Sequence, residues 1–193
     1  MKIGIIFESL LDETSRKTIN DIENIILIYQ KGSYFLLYDS INKTPIGYIS
    51  FSLSRNGDVY VIYGAFAKNG YGPLLYELAM TYAYPNGITL DDSSGTSSAA
   101  MNVWNNFYNR VDVKKEPINR LEKSYKEKDL VAGCNGDEEC LKEIEKILYL
   151  HNLKFSYNLG KQLLDKLINK GNEFLKQNPN LDLQSMIYHI ESI

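Results

Sequence analysis

Two stretches of the chain carry residue types and spacings suited to chemistry. The first is "AFAKNGYGPLLYELAM" at 65–80, where small and apolar residues pass through Gly-Tyr-Gly-Pro into a helical pattern. A tight turn needs only one such residue, whereas a loop that holds an anion against a helix start has use for several. Backbone N–H groups at a helix start are unpaired and carry the positive end of the dipole. Glycine lets an anion approach that backbone with no Cβ in the way. Pro73 suits the first helical position, where its missing N–H costs nothing. Lys68, Asn69, Gly70, Tyr71, Gly72, Pro73 and Leu74 are therefore candidate anion-binding residues. The plainer alternative for this run is a strand-to-helix turn. The second stretch is Asp91-Asp92, which follows a short apolar run where sites in open sheets gather. These carboxylates either orient and deprotonate a substrate or solvate a loop and help cap the next helix.

Other constellations are weaker. The third glycine of a dinucleotide fingerprint is absent, and no Gly-Lys-Ser/Thr follows to make a phosphate-binding P-loop. Cys134 and Cys140, in "CNGDEEC", have no second pair and no close histidine, so no zinc site is expected. Two adjacent aspartates without a third ligand do not make a metal site either. His151 and His189 lack a recognisable nucleophile partner.

The elements that must position the loop follow from periodicity. "SYFLLYD" (33–39), "PIGYISFSL" (45–53) and "DVYVIYGAF" (58–66) read as strands, rich in aromatic and β-branched residues. Asn56-Gly57 suits a type I′ hairpin turn between the last two. The third strand is almost continuously apolar, as a strand covered on both faces would be. After Gly72 the period changes, and Leu74, Leu75, Leu78, Ala79 and Tyr82 share one helical stripe that ends at "YPNG" (84–87). "ITL" (88–90) is a short buried strand. A helix is expected at 98–109, with Ala100, Val103, Trp104 and Phe107 facing the core, and "RVDVKK" reads as a last strand. Residues 18–29 read as a possible helix ahead of this β-β-β-α-β-α-β core. From about residue 114 the chain becomes charged and poorly periodic. Amphipathic helices are then expected at 138–158, 160–177 and 181–191, packed on the core because their apolar positions are too numerous to leave wet. The fold class is thus α/β (α+β), a mainly antiparallel mixed sheet with flanking helices and a helical extension. The divisions are 1–115, a connection at 116–137 and an extension at 138–193.

Bulk properties exclude several function classes. A hydrophobic content of 44% and a charged content of 23% fit an ordinary globular domain. A net charge of −3 gives no global field toward nucleic acid or anionic lipid. No apolar run approaches the roughly 18 residues of a membrane span. The start "MKIGIIFESLLDE" turns acidic too early for a secretory signal, so an intracellular, reducing compartment is expected.

A meander feeding a central strand, then loop, helix, strand, helix and strand, resembles the fold of GCN5-related N-acetyltransferases (GNAT). That family carries Gln/Arg-x-x-Gly-x-Gly/Ala after its fourth strand, where amides hold the pyrophosphate of acetyl-CoA. The matching run here is "AKNGYG", with Gly70 and Gly72 on the glycine positions. "GYGPLLYELAM", "DDSSGTSSAAMNVW" and "YNRVDV" in that order also resemble GNAT-like putative acetyltransferases of tailed phages. The likeness covers roughly residues 45–115.

The resemblance implies acyl transfer from acetyl-CoA, as co-substrate, to an amine on a small molecule or a protein. It implies residence in a host cytoplasm, or packaging in a virion. Departures are Ala67 at the Gln/Arg position, Pro73 in place of an amide donor, and no acid on the central strand beyond Asp58. The family's tyrosine acid falls on Trp104, which makes Tyr108, one turn on, the nearest phenol and the implied general acid. Asp92 is the implied partner of the amine. The alternative is a catalytically inactive protein of this fold, binding a macromolecular partner as a virion or anti-defence component.

Overall fold

The computed structural model describes residues 24–30, 34–68, 70–90, 98–118 and 137–191. Among the described residues, seven strands form a single mixed sheet. They are β1 (Ile25–Gln30), β2 (Tyr34–Asp39), β3 (Thr44–Leu53), β4 (Tyr60–Ala67), β5 (Ile88–Leu90), β6 (Lys114–Pro117) and β7 (Leu153–Ser156). The helices among the described residues are α1 (Gly72–Ala83), α2 (Ser98–Asn109), α3 (Glu138–His151), α4 (Lys161–Gln177) and α5 (Leu183–Glu191). Sheet order is β1-β2-β3-β4-β5-β7-β6. All neighbours are antiparallel except β4 and β5, which run parallel because α1 is the crossover between them.

Strand alternation divides β1–β3 between two apolar clusters. Leu27, Phe35, Leu37, Ile49 and Phe51 join the larger one, together with α1, α2 and the first half of α4. Ile26, Ile28, Tyr34, Leu36, Tyr38 and Tyr48 form the second, capped by Phe174 and Leu175 of α4 and by Ile190 of α5. The helix α4 thus passes over the edge strand β1. Gly171 makes that possible, since a Cβ there would stand 2.1 Å from the carbonyl oxygen of Leu27. Covering β1 in this way shields a row of backbone groups that would otherwise template pairing.

Helix α1 is buried nearly all round, which accounts for its lack of a polar face. It carries one buried acid, Glu77, ion-paired with Arg110. Arg110 also grips Asp112 through Nε (2.9 Å) and Nη2 (2.6 Å), and its guanidinium lies 5.3 Å from the Phe107 ring centroid and 4.8 Å from that of Tyr157. The "YNRVDV" run is therefore a structural clamp from the end of α2 onto α1.

Four sequence-based expectations are corrected. Ile25–Gln30 is a strand and not the end of a helix at 18–29. The helix expected at 138–158 stops at His151, and Leu153–Ser156 enters the sheet as β7 between β5 and β6. The extension is thus part of the sheet as well as a cover for it, and "RVDVKK" is not the last strand. The β3–β4 turn is not type I′, because only Gly57 (φ 74°) has positive φ there. A turn closed by Gly57 N–H to Ser54 O (2.9 Å) replaces it. Lastly, Cys140 is disulfide-bonded, against the reduced state expected of an intracellular thiol. No helix among the described residues is long and apolar enough to cross a membrane.

Candidate functional site: a splayed strand edge and a glycine loop

The site begins with a mismatch between neighbouring strands. Strand β5 pairs with β4 only at Tyr60, Val61 and Ile62, while β4 runs on to Ala67 along β3. At the point of departure β4 carries a bulge. Ser50 pairs with Gly64 and Phe51 with Ile62, leaving Tyr63 unmatched. The bulge reverses which backbone groups face which neighbour. Before it, Tyr60 N–H donates to Gly87 O on the β5 side (3.0 Å); after it, Lys68 N–H donates to Ile46 O on the β3 side (2.8 Å). Counting back from Lys68, strand alternation turns Gly64 and Phe66 toward β3 and the N–H and C=O of Ala65 and Ala67 away from it. Among the described strands none pairs with Ala65 or Ala67 on that side. Ala65 and Ala67 also put small side chains beside this open edge.

The strand leads straight into the glycine loop. Tyr71 N–H closes a turn onto Lys68 O (3.1 Å), and Gly70 takes φ 87°, a conformation open to glycine at little cost. Helix α1 starts at Gly72 with Pro73 in its first turn, Tyr71 as N-cap without a side-chain cap, and no acid in that turn. Its first helical bond is Leu75 N–H to Tyr71 O (3.2 Å), so the N–H groups of Gly72 and Leu74 precede the helical ladder. Gly70, Gly72 and Leu74 are buried, Tyr71 and Pro73 are half-buried, and Lys68 is exposed at the mouth of the loop. An uncapped, acid-free helix start at the end of an open strand edge can accept an anion and an extended chain side by side.

The remaining predicted residues fall elsewhere. Asn69, Asp91 and Asp92 lie outside the described residues. Tyr108 sits near the far end of α2, about ten residues and roughly 15 Å along the helix from Ser98. There its ring meets Tyr149 of α3 edge-on at 5.8 Å, with both rings partly exposed. The hydrogen bond with Tyr108 raises the Tyr149 phenol above its ordinary pKa. The structure thus brings Tyr108 to Tyr149 of α3. Trp104 is core, packed on Tyr76 (5.2 Å) and Phe155 (5.0 Å).

Sequence reasoning missed two features of the site, the bulge and the Tyr48–Glu191 pair, and left open whether Tyr63 faces a cleft or the core. The bulge had a signal in Gly64, since glycine inside an apolar strand often marks one. Tyr63, the unmatched residue, is half-exposed and its hydroxyl accepts from Ser52 Oγ (3.0 Å). Tyr48 of β3 donates a hydrogen bond to Glu191 at the end of α5, beside Gly64. That pair left no signal, because its partners are 143 residues apart. No family model, no curated protein and no solved structure matches this chain.

Proposed function

We propose that this protein binds acetyl-CoA or a related acyl-CoA along the open edge of β4 and transfers its acyl group to an amine. One observation carries the reading. β4 leaves β5 at a bulge and runs, with its edge unpaired among the described strands, into a glycine loop at a helix start without a side-chain cap. A pantetheine arm carries amide groups that bond to a strand edge as another strand does. A pyrophosphate suits the amides of Gly70, Gly72 and Leu74, with Lys68 beside them. The loop also follows the fourth strand of the sheet, as it does in the family that the sequence resembles.

The chemistry needs a positioned thioester, a donor for its carbonyl oxygen and a route for protons. Amides turned outward past the bulge are suited to the carbonyl, being fixed in place before the reaction. Departure of the CoA thiolate needs no strong acid, because a thiol pKa is near 8.5. Tyr108, held by Tyr149, is not required for that step.

The test is stabilisation by ligand. CoA at 100 times its dissociation constant raises stability by about 2.7 kcal/mol, read as a rise in Tm. Gly70→Val with Gly72→Val abolishes the rise while circular dichroism remains native. A wild-type Tm indifferent to millimolar CoA contradicts the reading. The rival is a catalytically silent binding protein of the same fold. It predicts that acetyl-CoA is never consumed, whatever amine is offered.

A further inference from the structure

We propose that Glu191 and Tyr48, set over Gly64, form the acceptor subsite of this centre and that the acceptor is a cationic primary amine on an apolar body. The inference rests on the acyl-transfer reading above and names its second substrate.

Glu191 closes α5, the helix that covers β3 and β4 on the second face of the sheet. Its Oε1 accepts from the Tyr48 phenol. Its Oε2 has no hydrogen-bond partner among the described residues. The Tyr48 ring is stacked on Phe66 at 5.4 Å with planes 11° apart. A Cβ built on Gly64 would stand 3.5 Å from Ser50 Oγ, 3.6 Å from Phe66 Cε2 and 3.8 Å from the Tyr48 hydroxyl. These groups therefore close on the bare backbone at Gly64, with no side chain between. Gly64 follows the bulge and is the second residue past the last β5 partner. The carboxylate that β4 lacks thus reaches the point where the strands part, from the opposite end of the chain. The open edge takes the acyl chain and the second face offers the acid.

The composition of the subsite selects its ligand. A carboxylate with a free oxygen, next to a phenol and a serine hydroxyl, matches the three donors of an ammonium. Two parallel aromatic rings match an apolar body and a neighbouring cation. An acceptor bearing a carboxylate near its amine would be repelled by Glu191. Burial, with the hydrogen bond and charge of Glu191, holds the Tyr48 phenol well above its ordinary pKa. It therefore stays a donor and fixes one carboxylate oxygen while the other meets the amine.

In the reaction the ammonium gives one proton to Glu191 and becomes a free amine. Its nitrogen lone pair then attacks the thioester carbonyl carbon. The C–S bond breaks with its electron pair on sulfur, and the second nitrogen proton passes to that thiolate. The products are an amide, CoA thiol and a protonated Glu191, which returns its proton to water.

The test uses the full-length chain, labelled with nitrogen-15 and titrated separately with phenethylamine, 2-phenylethanol and CoA. Phenethylamine should give saturable shifts centred on Tyr48, Gly64 and Phe66, and 2-phenylethanol should give none at equal concentration. Glu191→Gln should weaken the amine about tenfold or more, the usual scale for a charged hydrogen bond. Tyr48→Phe, which keeps the ring stack, should weaken it less. Absence of saturable shifts in the wild type, or equal affinity in Glu191→Gln, overturns the proposal. CoA separates the two levels of the account. CoA shifts at 65–74 without amine shifts at Gly64 sink the subsite and spare the acyl-CoA reading. Amine shifts at Gly64 without any CoA response do the reverse.

Discussion

Arg110 and Tyr108 stand two residues apart in the sequence and their substitutions should behave in opposite ways. The Arg110 guanidinium is held by Asp112 and Glu77, whose hydrogen bonds push its pKa higher still, and lies beside two aromatic rings. Glu77 is buried, so Arg110→Ala removes a charged partner of a carboxylate inside the protein. Arg110→Ala should cost about 3–5 kcal/mol in urea unfolding, and Arg110→Lys should recover only part of it because the planar fork is lost. A cost under about 1 kcal/mol would mean that the pair behaves as an exposed one. Tyr108→Phe should instead leave stability, CoA affinity and turnover nearly unchanged. Its visible effect lies on Tyr149, whose raised pKa depends first on the Tyr108 hydrogen bond. The Tyr149 phenolate should form at lower pH in the mutant than in the wild type, nearer the ordinary value of about 10. Phenolate absorbance across an alkaline titration reads this directly. A hundredfold loss of turnover would return Tyr108 to the role of general acid.

Among the elements, α4 is held against β1 by an absent side chain. At Gly171 a methyl group would stand 2.1 Å from a backbone oxygen, and backbone cannot move aside as a flexible side chain can. Gly171→Ala should therefore lower stability by about 1–3 kcal/mol, although alanine is the better helix former. Faster amide exchange along β1 should accompany the loss, and a more stable variant would show that α4 does not bear on β1. The legibility of the elements followed the range of the forces that make them. Strands β2, β3 and β4, the loop and α1 were readable because alternation, glycine-proline placement and helical period are local signals. β1 was not, since "IILIYQ" is a short apolar run whose period does not separate strand from helix. β7 was not either. Its four residues, "LKFS", become a strand only because β5 and β6 flank them. The glycine loop of the site could be read for the same local reasons, whereas the Tyr48–Glu191 pair depended on where α5 docks.

Across the whole molecule, the sheet is a frame that parts where β4 leaves β5. Among the described residues, β4 meets β5 at Tyr60, Val61 and Ile62, and β5 meets β7 at Ile88 with Phe155. Beyond Ile62 the bulge, the edge at Ala65 and Ala67 that no described strand pairs, and the start of α1 without a side-chain cap follow one another along the chain. The central claim is that an acyl-CoA lies there. Hydrogen exchange read peptide by peptide, with and without saturating CoA, tests it most directly. An acyl-CoA bound there slows exchange across residues 65–75, where edge and loop amides gain acceptors, with little change along β1, β2 and α4. Unchanged exchange at 65–75, or protection confined to another part of the chain, would contradict it.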